Sequence, residues 1–313
     1  MMMKRLLWKQ GFPKLPSIRS LFSILFKKIP PPTSRNLWLS IASLVALQSL
    51  IVFSNTQIAG NAITALIVWG GALICIEDLI EDLNPRPSHL SLFLGTLLTL
   101  YSLYRTSQVN SSDSFLYLLA PVSGLGIILI ANPLHKTWQY INSLLTLSLL
   151  PLFLVIQILV TTFVTYDLSL LTARFVIFWL SILGLSPIRI EGITVFFNEG
   201  AVQVMHECNG FEMIMQMFIT AVIFLLAFPL RSRLGRLLVV IIAPIIGFII
   251  NSLRITLLAI CTGFNSDLGK SLFDFFHEQA GSLIFSGVAI FLLGYMYLII
   301  LDRELPPIGD NNG

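Results

Sequence analysis

Three residues in the carboxyl-terminal half have side chains suited to acyl-transfer chemistry: Cys208 in His206-Glu207-Cys208-Asn209-Gly210, Arg254 in Asn251-Ser252-Leu253-Arg254, and His277 in Phe275-Phe276-His277-Glu278. A thiolate attacks a carbonyl carbon, a fixed cation stabilises the oxyanion that develops, and an imidazole moves the proton between nucleophile and leaving amine. Cys208 falls at a helix start, where unpaired backbone amides and the helix dipole favour an anion and lower a thiol pKa. Each residue also has a structural reading. Cys208 can be a small buried hydrophobe or half of a disulfide with Cys261, Arg254 can snorkel or pair with Glu207, Glu212 or Asp274, and His277 can stabilise a helix end.

The elements that position these residues are membrane helices. Of 313 residues, 56% are hydrophobic and 11% charged, and the mean hydropathy is +0.86. That excess of apolar residues requires lipid as solvent and excludes a soluble globular enzyme. Apolar stretches near 37–54, 58–76, 89–104, 114–131, 140–164, 211–228, 237–260 and 281–301 predict about eight spans. Eight Lys and Arg residues precede the first of them (Lys4, Arg5, Lys9, Lys14, Arg19, Lys27, Lys28, Arg35), which keeps the amino terminus in the cytoplasm. Arg86, Lys136, the cluster Arg231, Arg233 and Arg236, and Arg303 then also fall inside, for 14 of the 19 basic residues. Arg105, Arg174, Arg189, Arg254 and Lys270 fall at or near the outer side. Cys208, Arg254 and His277 thereby arrive at the same membrane face from three different spans. At that lipid–water boundary, a substrate with its scissile bond just outside its own membrane helix is presented at high effective concentration.

The chain divides into a basic amino-terminal segment (1–36), an integral membrane domain (37–301) and a short cytoplasmic tail (302–313). Residues 15–29 mix apolar residues with Arg19, Lys27 and Lys28 before Pro30, Pro31 and Pro32, and read as an interfacial basic helix rather than a signal peptide. The run Leu168–Leu185, interrupted by Arg174, is laid in or near the outer interface, because a crossing there would put the Arg231 cluster outside. After Pro187, the β-prone residues 188–197, the turn residues Asn198, Glu199 and Gly200, and the alternating 201–205 predict a small outer β-hairpin that delivers the chain to Cys208.

Cys75 lies deep in the second span and reads as packing, and three scattered cysteines make neither a disulfide framework nor a thiolate zinc site. No cofactor, metal or nucleic-acid partner is expected. Two rival functions fit parts of the sequence. Glu77, Asp78, Glu81 and Asp82 before Asn84-Pro85-Arg86-Pro87 faintly resemble the first acidic motif of membrane prenyltransferases, but the later inner loops at 132–137 and 229–236 hold no carboxylate for a second motif. A transporter or polysaccharide-export scaffold would use Arg254 to bind an anion and leave Cys208 incidental.

Cys208-Asn209-Gly210, Asn251-Ser252-Leu253-Arg254 and His277, in that order and spacing, resemble the exosortase and archaeosortase family of membrane-embedded cysteine transpeptidases, within which the chain looks similar to a cyanobacterial exosortase branch. The resemblance covers mainly residues 170–301, taken as the catalytic part. The family pattern is usually Cys-Ser-Gly or Cys-Thr-Gly, then Asn-x-x-Arg, then His, on an eight-helix scaffold; Asn209 departs from it beside the nucleophile, not at it. The resemblance implies an all-α polytopic membrane protein of the cytoplasmic (inner) membrane, with Cys208 as nucleophile, Arg254 as oxyanion or substrate stabiliser and His277 as proton-transfer residue. It also implies the substrate: secreted proteins with a carboxyl-terminal signal of a short Pro-Glu-Pro-like motif, a membrane helix and a basic cluster.

Overall fold

The computed structural model describes residues 32–56, 59–77, 88–110, 113–132, 134–185, 188–197, 200–264 and 266–304. The interfacial basic helix expected over 15–29 and most of the acidic motif at 77–87 lie outside these residues. The chain forms eleven α-helices among the described residues: α1 (Pro32–Thr56), α2 (Ala59–Glu77), α3 (His89–Gln108), α4 (Leu119–Ala131), α5 (Ile141–Leu147), α6 (Leu149–Phe163), α7 (Thr165–Ile182), α8 (Phe211–Ala227), α9 (Arg233–Gly263), α10 (Asp267–His277) and α11 (Gln279–Glu304). Between α7 and α8 lie three strands, β1 (Ile188–Glu191), β2 (Thr194–Phe197) and β3 (Gly200–Gln203). The chain gathers into two compact units, one of residues up to 57, 65–148 and from 301 on, the other of 58–64 and 149–300.

Four helical segments among the described residues are long and apolar enough to cross a bilayer: Ser114–Ala131, Leu134–Val160, Arg233–Gly263 and Gly281–Glu304. They coincide with four of the eight expected spans. The apolar parts of α1, α2 and α8 are shorter, at Ile41–Val52, Thr64–Ile76 and Phe211–Ala227. At a rise of about 1.5 Å per residue the last of these reaches roughly 26 Å, under the ~30 Å of a hydrocarbon core. By length and composition, four segments among the described residues are thus long enough to cross, at four of the eight expected places. The span expected over 140–164 is broken at Ser148 into α5 and α6. Pro151, in the first turn of α6, cannot donate to the carbonyl of Leu147, so a new helix starts where an unbroken one would lose a bond.

In the first unit, α3 packs on α4 through small and hydroxylated residues. Gln48 of α1 is buried and donates through Nε2 to the hydroxyls of Ser102 (2.9 Å) and Ser123 (2.7 Å), joining α1, α3 and α4. Ser91 donates to the carbonyl of Leu129. Without a hydrophobic drive between helices in lipid, close approach of small residues and side-chain hydrogen bonds are what hold such helices together.

The second unit carries the strands. The stretch 188–197 is not one strand, as its β-prone residues suggest, but two. The chain reverses at Gly192-Ile193, with Gly192 at φ +60°, so β1 pairs antiparallel with β2 (Glu191 opposite Thr194). β2 then pairs antiparallel with β3 (Thr194 opposite Gln203), and the expected hairpin is a three-stranded sheet. Its apolar face, Val195, Phe197 and Val202, joins Ala173, Val176 and Leu180 of α7 and Ile255, Leu258 and Ala259 of α9 in one buried cluster that also contains Cys208. Residues 168–185, expected in or near the outer interface, are mostly helix α7. Arg174 lies exposed while Ala173, Val176 and Leu180 are buried.

Candidate active site

β3 delivers the chain to a single 3-10 turn, His206–Cys208, followed by Asn209, Gly210 and the first turn of α8. The Cys208 amide donates to the carbonyl of Met205 (3.0 Å), which fixes the turn. Two side chains from different helices then hold successive carbonyls. Asn251 of α9 donates from Nδ2 to the Cys208 carbonyl at 3.0 Å, and Thr172 of α7 donates to the Asn209 carbonyl at 2.9 Å. The Asn209 side chain caps α8 by accepting from the Phe211 amide at 3.0 Å. Gly210 adopts φ +92°, and a Cβ there would stand 2.8 Å from Nδ2 of Asn251. Only glycine serves both the backbone conformation and the space that Asn251 occupies.

Asn251 can reach Cys208 because α8 and α9 nearly touch. A Cβ on Gly247 would come within 2.7 Å of the Met213 carbonyl, and Asn251 lies one helical turn beyond. On the far side of Asn251, Ser252 accepts from the Trp179 indole at 3.0 Å, tying α9 to α7. The thiol is thus carried on a turn gripped from two helices, and Cys208 itself is only 9% exposed.

His277 is the last residue of α10, and its Nε2 lies 4.0 Å from the Cys208 sulfur. The imidazole stacks on Phe273, one turn earlier, with ring centroids 5.3 Å apart and planes 11° from parallel. Arg254, 7% exposed, aims its guanidinium at the end of the same helix. Nε donates to the Phe276 carbonyl (3.2 Å) and Nη2 to the His277 carbonyl (3.0 Å). These are carbonyls at a helix carboxyl terminus, where no intrahelical donor follows and the dipole favours a cation. The guanidinium charge is also felt by Cys208 and Glu212. Arg254 therefore fixes the backbone that carries His277, and three of its five N–H donors are left for other work.

The sequence-derived residues Cys208, Arg254 and His277 converge at this one place in the second unit. Cys75 belongs to the other unit, where its sulfur lies 3.9 Å from the Thr146 hydroxyl. Cys208 and Cys261 are both buried and are not joined in a disulfide. Of the carboxylates considered as partners for Arg254, Glu212 and Asp274 are exposed, and the Glu207 side chain lies outside the described residues. Among the described residues, no cluster of His, Cys, Asp and Glu is arranged to hold a metal ion. Thr172 was not singled out by sequence reasoning; its one signal is a hydroxyl on the buried side of an apolar helix. Asn251 was visible only as part of a motif.

The family model for transmembrane exosortases matches residues 33–294. The chain belongs to the transmembrane exosortase family. The match is to the family and not to a branch of it, and it spans both compact units. No curated protein and no solved structure matches the chain. In this exosortase the Asn-x-x-Arg segment of α9 holds two different backbones, Asn251 the turn that carries Cys208 and Arg254 the end of the histidine helix.

Two consequences can be measured. Asn251→Leu leaves the buried Cys208 carbonyl without its donor, at a cost of about 1–3 kcal/mol, and frees the turn that aims the thiol. Thermal unfolding of the detergent-solubilised protein is expected to shift down modestly, while any Cys208-dependent turnover falls on the order of 10²-fold; unchanged turnover would remove Asn251 from the site. Asn209 is 1% exposed, and its Nδ2 has no hydrogen-bond partner among the described residues. Asn209→Ser keeps an oxygen to cap the Phe211 amide and removes the orphaned donor, so it is expected to stabilise the protein by about 1 kcal/mol with turnover retained. A lower melting temperature would show that the carboxamide has a partner of its own.

Proposed function

We propose that this exosortase is a membrane-embedded cysteine transpeptidase or protease that processes carboxyl-terminal sorting signals of secreted proteins on the outer face of the cytoplasmic membrane. The observation that carries the reading is the 4.0 Å approach of the Cys208 sulfur to Nε2 of His277, with Arg254 bonded to the histidine's own backbone. In the first step the thiol passes its proton to His277 as sulfur attacks the scissile carbonyl carbon. The oxyanion faces the field of Arg254. Collapse of the adduct breaks the C–N bond, the imidazolium protonates the departing amine, and a thioester to Cys208 remains. Water or an acceptor amine then attacks the thioester, giving its proton to His277 and returning the thiol.

The substrate class proposed is the one the resemblance implies: secreted proteins with a short Pro-Glu-Pro-like motif, a membrane helix and a basic cluster. The helix holds the motif at the bilayer surface, so the reaction is in effect intramolecular within the membrane plane. The test is a secreted reporter with such a tail, co-expressed with the protein, its cleavage located by mass spectrometry. Release of the tail at a single bond near the motif is expected. A tail retained intact, also when tails from the source organism's own secreted proteins are substituted, would overturn the reading. Sidedness has its own test. A membrane-impermeant thiol reagent is expected to label Cys208 in intact cells or spheroplasts, and labelling confined to inverted vesicles would reverse the orientation.

A further inference from the structure

The helix that bears His277 has three distinct flanks. At about 100° per residue, Gly269, Phe273 and Phe276 share one, which turns inward. Gly269 is buried so tightly that a Cβ would stand 2.5 Å from the Phe264 carbonyl, and Phe273 and Phe276 pack on the buried cluster around Cys208. A second flank holds Leu268, Leu272 and Phe275, all exposed, with Leu268 at 69%. The third flank, about a third of a turn from the second, holds Asp267, Lys270, Ser271 and Asp274, also exposed. His277 lies at the seam between the inward and the polar flank.

An apolar flank left uncovered beside a polar one needs an occupant, and the chain on either side names it. α10 is joined directly to two segments able to cross a bilayer, by a short link from Gly263 at one end and into Gln279 at the other. A helix tethered between two membrane spans lies at the membrane boundary. Its water-facing and apolar flanks are arranged as a helix lying in the interface requires. We infer that α10 is a membrane-seated interfacial helix whose Leu268, Leu272 and Phe275 flank is buried in the acyl–headgroup boundary of the leaflet nearest Cys208, so that lipid is the partner of the element carrying the imidazole. The polar flank carries two acids and one base, so the attachment is apolar and does not depend on anionic headgroups. The bilayer and Arg254 then hold the same helix from different sides.

The test uses the full chain in nanodiscs, with Cys75→Ser, Cys208→Ala and Cys261→Ser as background and an environment-sensitive fluorophore on Leu268→Cys, Leu272→Cys, Lys270→Cys or Asp274→Cys. Emission from positions 268 and 272 is expected to be blue-shifted and quenched several-fold more by acyl-brominated phospholipid than emission from 270 and 274. The quenching should be equal in zwitterionic and anionic bilayers. Equal quenching at all four positions, quenching of 268 and 272 by aqueous iodide, or a blue shift there without lipid quenching would each overturn the inference; the last would mean that a protein covers the flank. A benzophenone amino acid at position 268 of an otherwise unaltered chain gives an independent reading, with crosslinking to lipid expected and to protein alone contradicting it. None of these measurements uses catalysis, so their outcome is separate from that of the proposed reaction.

Discussion

Cys208→Ala is expected to reduce processing of the tailed reporter to background, a loss on the order of 10⁴-fold or more, which is the scale set by removing a covalent nucleophile. The substitution deletes one sulfur atom from a small buried site and leaves the hydrogen bonds of its backbone in place: the amide to Met205, the carbonyl to Asn251. The protein should therefore reach the membrane in normal amounts and unfold near the wild-type temperature, and lost activity can be assigned to lost chemistry. Cys208→Ser should also be inactive, because an alkoxide is far harder to form than a thiolate at neutral pH. A Cys208→Ala protein that still releases the tail would sink the covalent mechanism and favour a transport or scaffold role, in which the thiol has no part.

Arg254→Lys keeps the charge and is expected to lose about 10²-fold in turnover. The reason is geometric. Nε and Nη2 bond two successive carbonyls, Phe276 and His277, and a single ammonium cannot reproduce that planar fork. With one carbonyl released, the end of α10 is free to shift, and the 4.0 Å between sulfur and imidazole is the distance that shift would change. A companion measurement separates the ways Arg254 can act. If it positions His277, the rate of Cys208 alkylation at neutral pH should fall in Arg254→Lys along with turnover, since the thiol has lost its proton acceptor. If it acts only on the oxyanion, alkylation should be unchanged while turnover falls. Wild-type turnover in Arg254→Lys would remove both roles.

The three site residues were legible in the sequence for one physical reason: each is a polar or reactive group at or inside an apolar run, and alternation of sides brings such groups to a common face. Their mutual geometry was not legible. That Arg254 would spend two donors on the backbone of the histidine helix follows from where α10 ends, and nothing in the local sequence at Arg254 announces it. The turn that carries Cys208 was visible as His206 to Gly210, but Thr172, which grips it, sits in the stretch 168–185 that charge parity had laid in or near the outer interface. The strands were legible and their number was not, because Gly192 within a β-prone run is the residue at which a strand reverses. The break inside the stretch 140–164 was not legible either: apolar composition says that a stretch prefers lipid, whereas the length of unbroken helix depends on interruptions such as Ser148 and Pro151 that barely lower the hydropathy around them.

The buried Gln48 has a consequence for the order in which the protein is assembled. Its carboxamide finds acceptors on Ser102 and Ser123, which belong to two different helices made later in the chain. While α1 stands alone in the bilayer that amide has neither, and an unsatisfied amide in hydrocarbon is costly enough to keep the helix from settling at one depth. α1 is made before α3 and α4 and gains its register only once both have arrived. A chain truncated after α3 is expected to hold α1 loosely, and α1 should then be among the first helices that membrane quality control can extract.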